Sequence, residues 1–129
     1  MGERKVLMIE DYSDLHEIVR QGLKPYPDCR LVSAYTLDEG SRLFDDNQPD
    51  LVLIVMDGCV DHDSTLDSLP LIQAIRKKGF HGTMLAASSD GEFRKEMLLA
   101  GCDREIKQKM EVPFAVMHFL ALPFREASP

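Results

Sequence analysis

The sequence has 129 residues, of which 44% are hydrophobic and 29% are charged, and its formal net charge is -7. This composition is typical of a folded globular protein, and the length fits one domain. The negative charge argues against nucleic-acid binding by phosphate neutralisation, and no apolar run reaches the roughly 18 residues that span a bilayer. We therefore expect a single domain that binds neither nucleic acid nor membranes.

The cysteines and the N-terminus indicate the compartment. Cys29, Cys59 and Cys102 form an odd set without C-x-x-C spacing, which is typical of free thiols in a reducing cytoplasm. The apolar run near the N-terminus is too short for the core of a signal peptide. We expect a cytoplasmic protein.

The first part of the chain predicts a strand, a helix and a second strand. Lys5–Ile9 is a continuous apolar run of strand length. Ser13 and Asp14 are expected to cap the helix that follows. The apolar residues of this helix have the spacing of one buried stripe: Leu15, Ile18, Val19 and Leu23. Arg30–Tyr35 predicts the second strand.

The middle of the chain continues the alternation of helix and strand. Thr36 and Glu39 have the spacing of a capping box, and Leu43 and Phe44 are expected on the buried face of the second helix. Leu51–Met56 has six consecutive apolar residues. This pattern predicts a strand that is covered on both faces, as in a parallel sheet.

The next segment predicts a polar loop, a third helix and a fourth strand. The loop is rich in aspartate and extends from residue 57 to residue 67. Ser68, with Pro70 in the first turn, is expected to begin the third helix. Thr83–Ala87 is an apolar segment that predicts the fourth strand.

The last part of the chain completes the series. Ser89 and Glu92 are expected to form a capping box at the start of a fourth helix, and Arg104–Lys107 predicts a fifth strand. Pro113 is expected to begin the last helix. The expected buried residues of these two helices are Phe93, Met97 and Ala100, then Phe114, Met117, Leu120 and Ala121.

Five successive β-α units predict an α/β fold, a doubly wound five-stranded parallel sheet with helices on both faces. Ligands of such sheets bind beyond the carboxyl ends of the strands, near the switch in strand order. The polar residues that follow the predicted strands are the candidates for a site: Glu10, Asp11, Asp57, Ser88, Lys107 and Lys109.

The chemistry of these residues predicts a phosphoryl-transfer site that binds magnesium. Glu10, Asp11 and Asp57 at one edge would repel one another and raise their pKa values, and Mg²⁺, which prefers oxygen ligands, removes that conflict. Ser88 and a lysine supply a hydroxyl and positive charge for phosphoryl oxygens. An aspartate so placed can act as a nucleophile and form an acyl phosphate.

In five segments, the chain resembles the receiver domains of two-component response regulators. The resemblance implies a flavodoxin-like receiver fold with strand order 2-1-3-4-5. It covers residues 4 to 122 of a single domain that comprises residues 1–129, with residues 123–129 as a tail. The segments that carry it are Val6–Asp11, Pro49–Asp57, Leu71–Arg76, Ala86–Ser89 and Ala100–Asp103.

The resemblance also implies roles for individual residues. Asp57 would be the phosphoacceptor, Ser88 the switching hydroxyl, and Glu10, Asp11 and Asp57 the Mg²⁺ ligands together with the backbone carbonyl of Cys59. The phosphoryl group would come from a sensor histidine kinase or a histidine phosphotransfer protein, and it would be lost slowly. Apart from this self-catalysed phosphotransfer and dephosphorylation, the protein would have no enzymatic activity. It would act in trans on a downstream effector protein.

The sequence departs from the family's usual pattern after Asp57 and before the last helix. The loop after Asp57 is longer than usual, and the Lys-Pro step is absent. The usual spacing from Gly101 leads to Gln108, which lies between two lysines. We prefer Lys109 as the residue that contacts the phosphoryl group, because the residues after it lead directly into the last helix, and Lys107 is the alternative.

A further departure concerns the switch. Glu105 or Ile106 stands where the family has an aromatic residue, so a switch that turns an aromatic ring is not expected. Ser88 is expected to have a free hydroxyl, because Ser89 has the spacing to cap the fourth helix.

Two alternative functions compete with the phosphorylatable receiver. One is a phosphorylation-independent pseudo-receiver that acts as a protein-interaction module. The missing Lys-Pro step and the missing aromatic favour it, whereas the three carboxylates and Ser88 favour phosphorylation. The other is a phosphohydrolase with an aspartyl nucleophile. Such enzymes need a second aspartate two residues after the nucleophile, where this sequence has Cys59.

Overall fold

The strands form one parallel sheet. The computed structural model describes residues 2–123, and within this range five parallel strands are ordered β2-β1-β3-β4-β5. The strands are β1 (Arg4–Ile9), β2 (Cys29–Ala34), β3 (Leu51–Asp57), β4 (Thr83–Ala87) and β5 (Arg104–Ile106). The predicted fold class and strand order are confirmed. Apart from Pro123, the expected tail lies outside the described residues.

The helices lie on both faces of the sheet. They are α1 (Ser13–Leu23), α2 (Leu37–Asn47), α3 (Leu69–Lys77), α4 (Gly91–Ala100) and α5 (Val112–Phe119). Short 3-10 turns at Gln48–Asp50 and Lys109–Glu111 precede β3 and α5. In the described part of the chain, none of the helices is long and apolar enough to cross a membrane.

The two faces of the sheet bury separate cores. On β1, Val6 and Met8 pack in the cluster with the buried side chains of α1 and α5, whereas Leu7 and Ile9 pack in the cluster with those of α2, α3 and α4. Successive side chains of a strand point to opposite faces, so both sets are buried only when helices cover both faces. This explains the unbroken apolar runs of the central strands.

The buried stripes of two helices differ from the predicted ones. Ile18 of α1 is 41% exposed, and His16 is buried in its place next to Leu15. His16 tolerates burial because both ring nitrogens have hydrogen-bond partners. In α5, Phe114 is 55% exposed, and the predicted position Ala121 is also exposed. The face of α5 that contacts the sheet is instead formed by Val112, Pro113, Val116 and Met117, with Leu120 just after it.

The predicted helix caps are partly confirmed. The Thr36 hydroxyl accepts the Glu39 N–H at 3.1 Å, as predicted. At α4 the predicted cap, Ser89, is wrong. The Asp90 carboxylate accepts the N–H groups of the second and third helical residues at 2.9 and 3.2 Å, and its negative charge also suits the helix dipole. The predicted Ser13 and Asp14 cap is also wrong, since Tyr12 occupies the N-cap position without a side-chain bond.

Candidate functional site

The predicted site residues meet at the carboxyl edge of the sheet. β1 lies between β2 and β3, so the chain switches direction along the sheet at β1 and β3, where ligand sites form in folds of this class. Glu10 and Asp11 directly follow β1, and Asp57 ends β3. Ser88 follows β4. An open cavity at this edge is lined by residues that include Asp11, Asp57, Cys59, Ser88 and Lys109.

Three carboxylates form the centre of the site. One side-chain oxygen from each of Glu10, Asp11 and Asp57 lies within 4.8 Å of the others. Glu10 is 1% exposed and Asp57 is 6% exposed, whereas Asp11 is open to solvent. Oxygen donors at this spacing, with one side open, fit a small hard cation such as Mg²⁺, which keeps several of its waters.

Lys109 lies against these carboxylates. Its ammonium is 2.9 Å from Asp57 Oδ1 and also pairs with Glu10. The 3-10 turn that begins at Lys109 brings the side chain back toward the sheet edge. Lys107 is exposed and forms no ion pair among residues 2–123. Of the two candidate lysines, the structure therefore places Lys109 at the site.

Burial dominates the electrostatics of the site. It raises the pKa of the Glu10 carboxyl to about 8, with smaller contributions from Asp11 and Asp57, and Lys109 opposes the shift. Burial also raises the pKa of Asp57, and the bond to Lys109 opposes this. Burial lowers the pKa of Lys109, but the two carboxylates outweigh that effect and raise it. The ammonium of Lys109 therefore offsets only part of the effect of burial on the two carboxyl groups.

Ser88 lies close to Gly58, the residue that follows Asp57, and lines the same cavity as Asp57. The N–H of Gly58 donates to Asp57 Oδ1 at 2.8 Å. A Cβ at Gly58 would lie 3.4 Å from both the Cβ and the Oγ of Ser88, so the glycine leaves room for this side chain. Ser88 itself is 6% exposed.

The hydrogen bonds of Ser88 differ from the expected ones. Asp90, and not Ser89, caps α4, so the prediction that a Ser89 cap leaves the Ser88 hydroxyl free is wrong. Ser88 Oγ accepts the N–H of Asp90 at 3.2 Å. A hydroxyl that accepts one bond still has its own hydrogen to donate. Ser88 can therefore donate to a phosphoryl oxygen without losing the bond from Asp90.

The loop between β3 and α3 is more ordered than a solvated acidic loop. The Asp67 carboxylate accepts the N–H groups of Val60, Asp61 and His62 at 2.8, 2.9 and 3.0 Å. The Asp61 carboxylate in turn accepts the N–H of Leu37 at 3.0 Å, which ties the loop to the start of α2. Cys59, Asp63 and Ser64 of this loop line the cavity.

Two residues that support the site carry no clear signal in the sequence. His16 Nε2 donates to the backbone carbonyl of Glu10 at 2.7 Å, and its Nδ1 lies 2.8 Å from Ser33 Oγ. Arg94 donates to the backbone carbonyl of Ser88 at 2.7 Å. Both contacts involve backbone atoms of another element, and residue spacing along the chain does not reveal such contacts.

Comparisons with known proteins identify the fold class. The structure matches 193 chains of known structure. A response regulator receiver protein from Pseudoalteromonas atlantica matches with a TM-score of 0.72 and 16% identity, over 91% of this chain and 93% of that chain. An orphan response regulator of H. pylori, HP1043, matches with a TM-score of 0.70 and 20% identity over 92% of this chain and 98% of that chain.

A third similar structure is a complex that contains BeF3 and Mg²⁺. The CheX–CheY–BeF3–Mg²⁺ complex from Borrelia burgdorferi matches with a TM-score of 0.70 and 14% identity, over 92% of this chain and 90% of that chain. No family model and no curated protein sequence matches this chain. The chain thus has the fold of response regulator receiver domains.

Proposed function

We propose that the protein is a receiver that accepts a phosphoryl group on Asp57 and signals by changing its affinity for a partner protein. The observation that carries this proposal is the convergence of Glu10, Asp11 and Asp57 within 4.8 Å, with the Lys109 ammonium 2.9 Å from Asp57. A buried aspartate between a candidate cation site and an ammonium can act as a nucleophile toward phosphorus, because both neutralise the incoming charge.

The transfer from a phosphohistidine is balanced as follows. A carboxylate oxygen of Asp57 forms a bond to phosphorus while the bond between phosphorus and the imidazole nitrogen breaks. The histidine leaves as neutral imidazole when its other nitrogen carries a proton. Lys109 contacts the phosphoryl oxygens, and Ser88 donates a hydrogen bond to one of them. Glu10, Asp11, Asp57 and the backbone carbonyl of Cys59 would hold Mg²⁺, which when bound supplies further positive charge.

The phosphoryl donor in this proposal is a sensor histidine kinase or a histidine phosphotransfer protein. The partner that responds to phosphorylation is a downstream effector protein. Support comes from the fold and from its similarity to a chain of the CheX–CheY–BeF3–Mg²⁺ complex from Borrelia burgdorferi. Self-catalysed transfer and slow loss of the phosphoryl group are the only chemistry that the proposal requires.

Intact-mass measurement after incubation with acetyl phosphate tests the proposal. We expect the wild type to gain the mass of one phosphoryl group with Mg²⁺ and none with EDTA. Asp57→Asn should gain none. Asp38→Asn is the matched control, because Asp38 is exposed on α2 outside the site, and it should behave like the wild type. No gain in the wild type, or a full gain in Asp57→Asn, would overturn the proposal.

A pseudo-receiver that acts only as a protein-interaction module is the second candidate. The observation that favours it is the additional ion pair of Lys109 with Glu10, since the ammonium then occupies a carboxylate that the metal would need. Calorimetric titration with Mg²⁺ separates the two functions. A site that binds no Mg²⁺ at millimolar concentration would favour the interaction module.

A further inference from the structure

Arg94 of α4 connects the site to β5. Its Nη1 donates to the backbone carbonyl of Ser88 at 2.7 Å, and its Nε pairs with Glu105 Oε1 at 2.8 Å. The Arg94 side chain is only 12% exposed. A guanidinium holds its donors in one rigid plane, so the two acceptors are fixed relative to each other. Ser88 and Glu105 are therefore mechanically linked through one side chain.

A second bond ties Ser88 to the same helix. Ser88 Oγ accepts the N–H of Asp90 at 3.2 Å, and the Asp90 carboxylate caps the first turn of α4. The hydroxyl and the backbone carbonyl of Ser88 are thus bonded to the N-cap residue of α4 and to Arg94 of α4, respectively. A displacement of Ser88 must either carry the start of α4 with it or break these bonds.

Glu105 lies on β5, where a movement of Ser88 and Arg94 would change its contacts. It pairs in register with Ala86 of β4, one step before the last pair of the two strands. Its side chain is 41% exposed and lies against α4, whereas Ile106 packs with the core on the opposite face of the sheet. Glu105 is thus the β5 side chain that a partner protein and α4 can both contact.

We propose that Arg94 is a positioning residue for Ser88 and that the Arg94–Glu105 pair transmits the displacement of Ser88 to α4 and β5. This inference rests on the proposed phosphorylation of Asp57. When Ser88 donates to a phosphoryl oxygen, it moves toward Asp57, and its carbonyl pulls on the guanidinium. The pair with Glu105 then shifts or opens. This polar link would replace the aromatic ring that responds to phosphorylation in the receiver family and that this sequence lacks.

Nuclear magnetic resonance with beryllofluoride and Mg²⁺ tests the inference on the full chain. In the wild type, we expect the probe to shift the amide signals of Ser88 and Gly58, the Nε–Hε signal of Arg94, and the amide signals of residues 97–100 in the last turn of α4. The Nε–Hε signal reports the bond to Glu105 directly, and a merely structural role of Arg94 would leave it unmoved by the probe.

Two variants break the link in different ways. Arg94→Lys keeps the charge but loses the planar fork, and Glu105→Gln keeps the shape but loses the charge. In both, the shifts at Ser88 and Gly58 should remain, whereas the shifts at residues 97–100 should fall at least twofold. Glu96→Gln is the matched control, because Glu96 is exposed on α4 and forms no ion pair among the described residues. It should transmit like the wild type.

The possible outcomes distinguish this inference from the proposed function. Undiminished shifts at residues 97–100 in both variants would overturn the inference alone. No response at Ser88 and Gly58 in the wild type would overturn the proposed function and the inference with it. Circular dichroism shows whether each variant folds, and Glu105→Gln, which is isosteric and on the surface, keeps the test decisive if Arg94→Lys does not fold.

Discussion

At the residue scale, the candidate site was largely predictable because strand ends are readable from apolar runs. Glu10, Asp11, Asp57 and Ser88 each follow such a run, and the topology of a parallel sheet brings these positions to one edge. The lysine was ambiguous, because spacing in a loop does not determine which way a side chain points. The 3-10 turn that begins at Lys109 decides it.

The supporting residues could not be predicted for a different reason. His16 lies on the buried face of α1 and donates to a backbone carbonyl, and Arg94 does the same from α4. A histidine or an arginine on a helix is usually a surface residue, and only the packed structure shows which one reaches the backbone of another element.

The two lysines can be separated by substitution. Because Lys109 contacts Glu10 and Asp57, its ammonium competes with a cation for the carboxylates. We expect Lys109→Gln to raise the affinity for Mg²⁺ about tenfold, or ~1.4 kcal/mol, and to slow phosphorylation. Calorimetry and the rate of mass gain measure the two effects. Lys107→Gln should change neither, and the reverse pattern would assign the site to Lys107.

The burial of His16 predicts a dependence of stability on pH. Burial lowers its pKa, and the charge of Arg20 adds to this while the bond to the Glu10 carbonyl opposes it. Below pH ~6.5, the ordinary pKa of histidine, the His16 imidazole therefore binds a proton more readily in the unfolded state than in the folded state. The stability present above pH ~6.5 is lost as pH falls toward the lowered folded value, by at most ~1.4 kcal/mol per pH unit.

Urea unfolding of the metal-free protein at about pH 7.5 and about pH 5.5 measures this dependence. We expect His16→Gln to lose less stability than the wild type between the two conditions. His118→Gln is the control, since His118 is exposed, and it should follow the wild type. Equal losses in all three proteins would show that His16 does not resist protonation.

At the element scale, propensity predicted where helices and strands lie, but several details depended on packing. The Thr36 cap was readable because it acts locally, although the Glu39 carboxylate accepts the N–H of Tyr35 and not, as in a full capping box, that of Thr36. At α4, Ser89 and Asp90 are both good caps, and sequence alone did not show that Asp90 takes the position. The exposed Ile18 and Phe114 show a similar limit, since several apolar faces were possible on each helix.

The loop between β3 and α3 offers a test at this scale. The Asp67 carboxylate accepts three backbone N–H groups. We expect Asp67→Ala to lower the free energy of unfolding by about 1–3 kcal/mol, because these donors lose their partner, and to make the loop more sensitive to protease. Asp63→Ala is the control, as Asp63 is an exposed residue of the same loop. A similar loss in both variants would show that Asp67 does not organise the loop.

At the scale of the whole molecule, the apolar runs determined the fold more firmly than any single motif. Strands buried on both faces require helices on both faces, and right-handed crossovers leave few possible topologies. The order β2-β1-β3-β4-β5 follows the predicted one. The apolar runs do not predict how the loop between β3 and α3 packs. Its contacts are made by polar side chains with backbone groups.

The net charge gives a prediction for the molecule as a whole. The acidic site adds to a formal net charge of -7, and a ligand that binds only the folded state stabilises it. At about 100 times its dissociation constant, Mg²⁺ should raise the free energy of unfolding by about 2.7 kcal/mol. Asp11→Asn should reduce this gain, whereas Asp38→Asn should not. Thermal unfolding with Mg²⁺ or EDTA measures it, and equal stabilisation of Asp11→Asn would place the cation elsewhere.

The most direct test of the central claim locates the phosphoryl group. After incubation with acetyl phosphate and Mg²⁺, borohydride reduces an aspartyl phosphate to homoserine, and peptide mass spectrometry finds the converted position. We expect conversion at Asp57 and at no other carboxylate. Conversion at Glu10 or Asp11 instead of Asp57, or no conversion at all, would contradict the assignment of Asp57 as the phosphoacceptor.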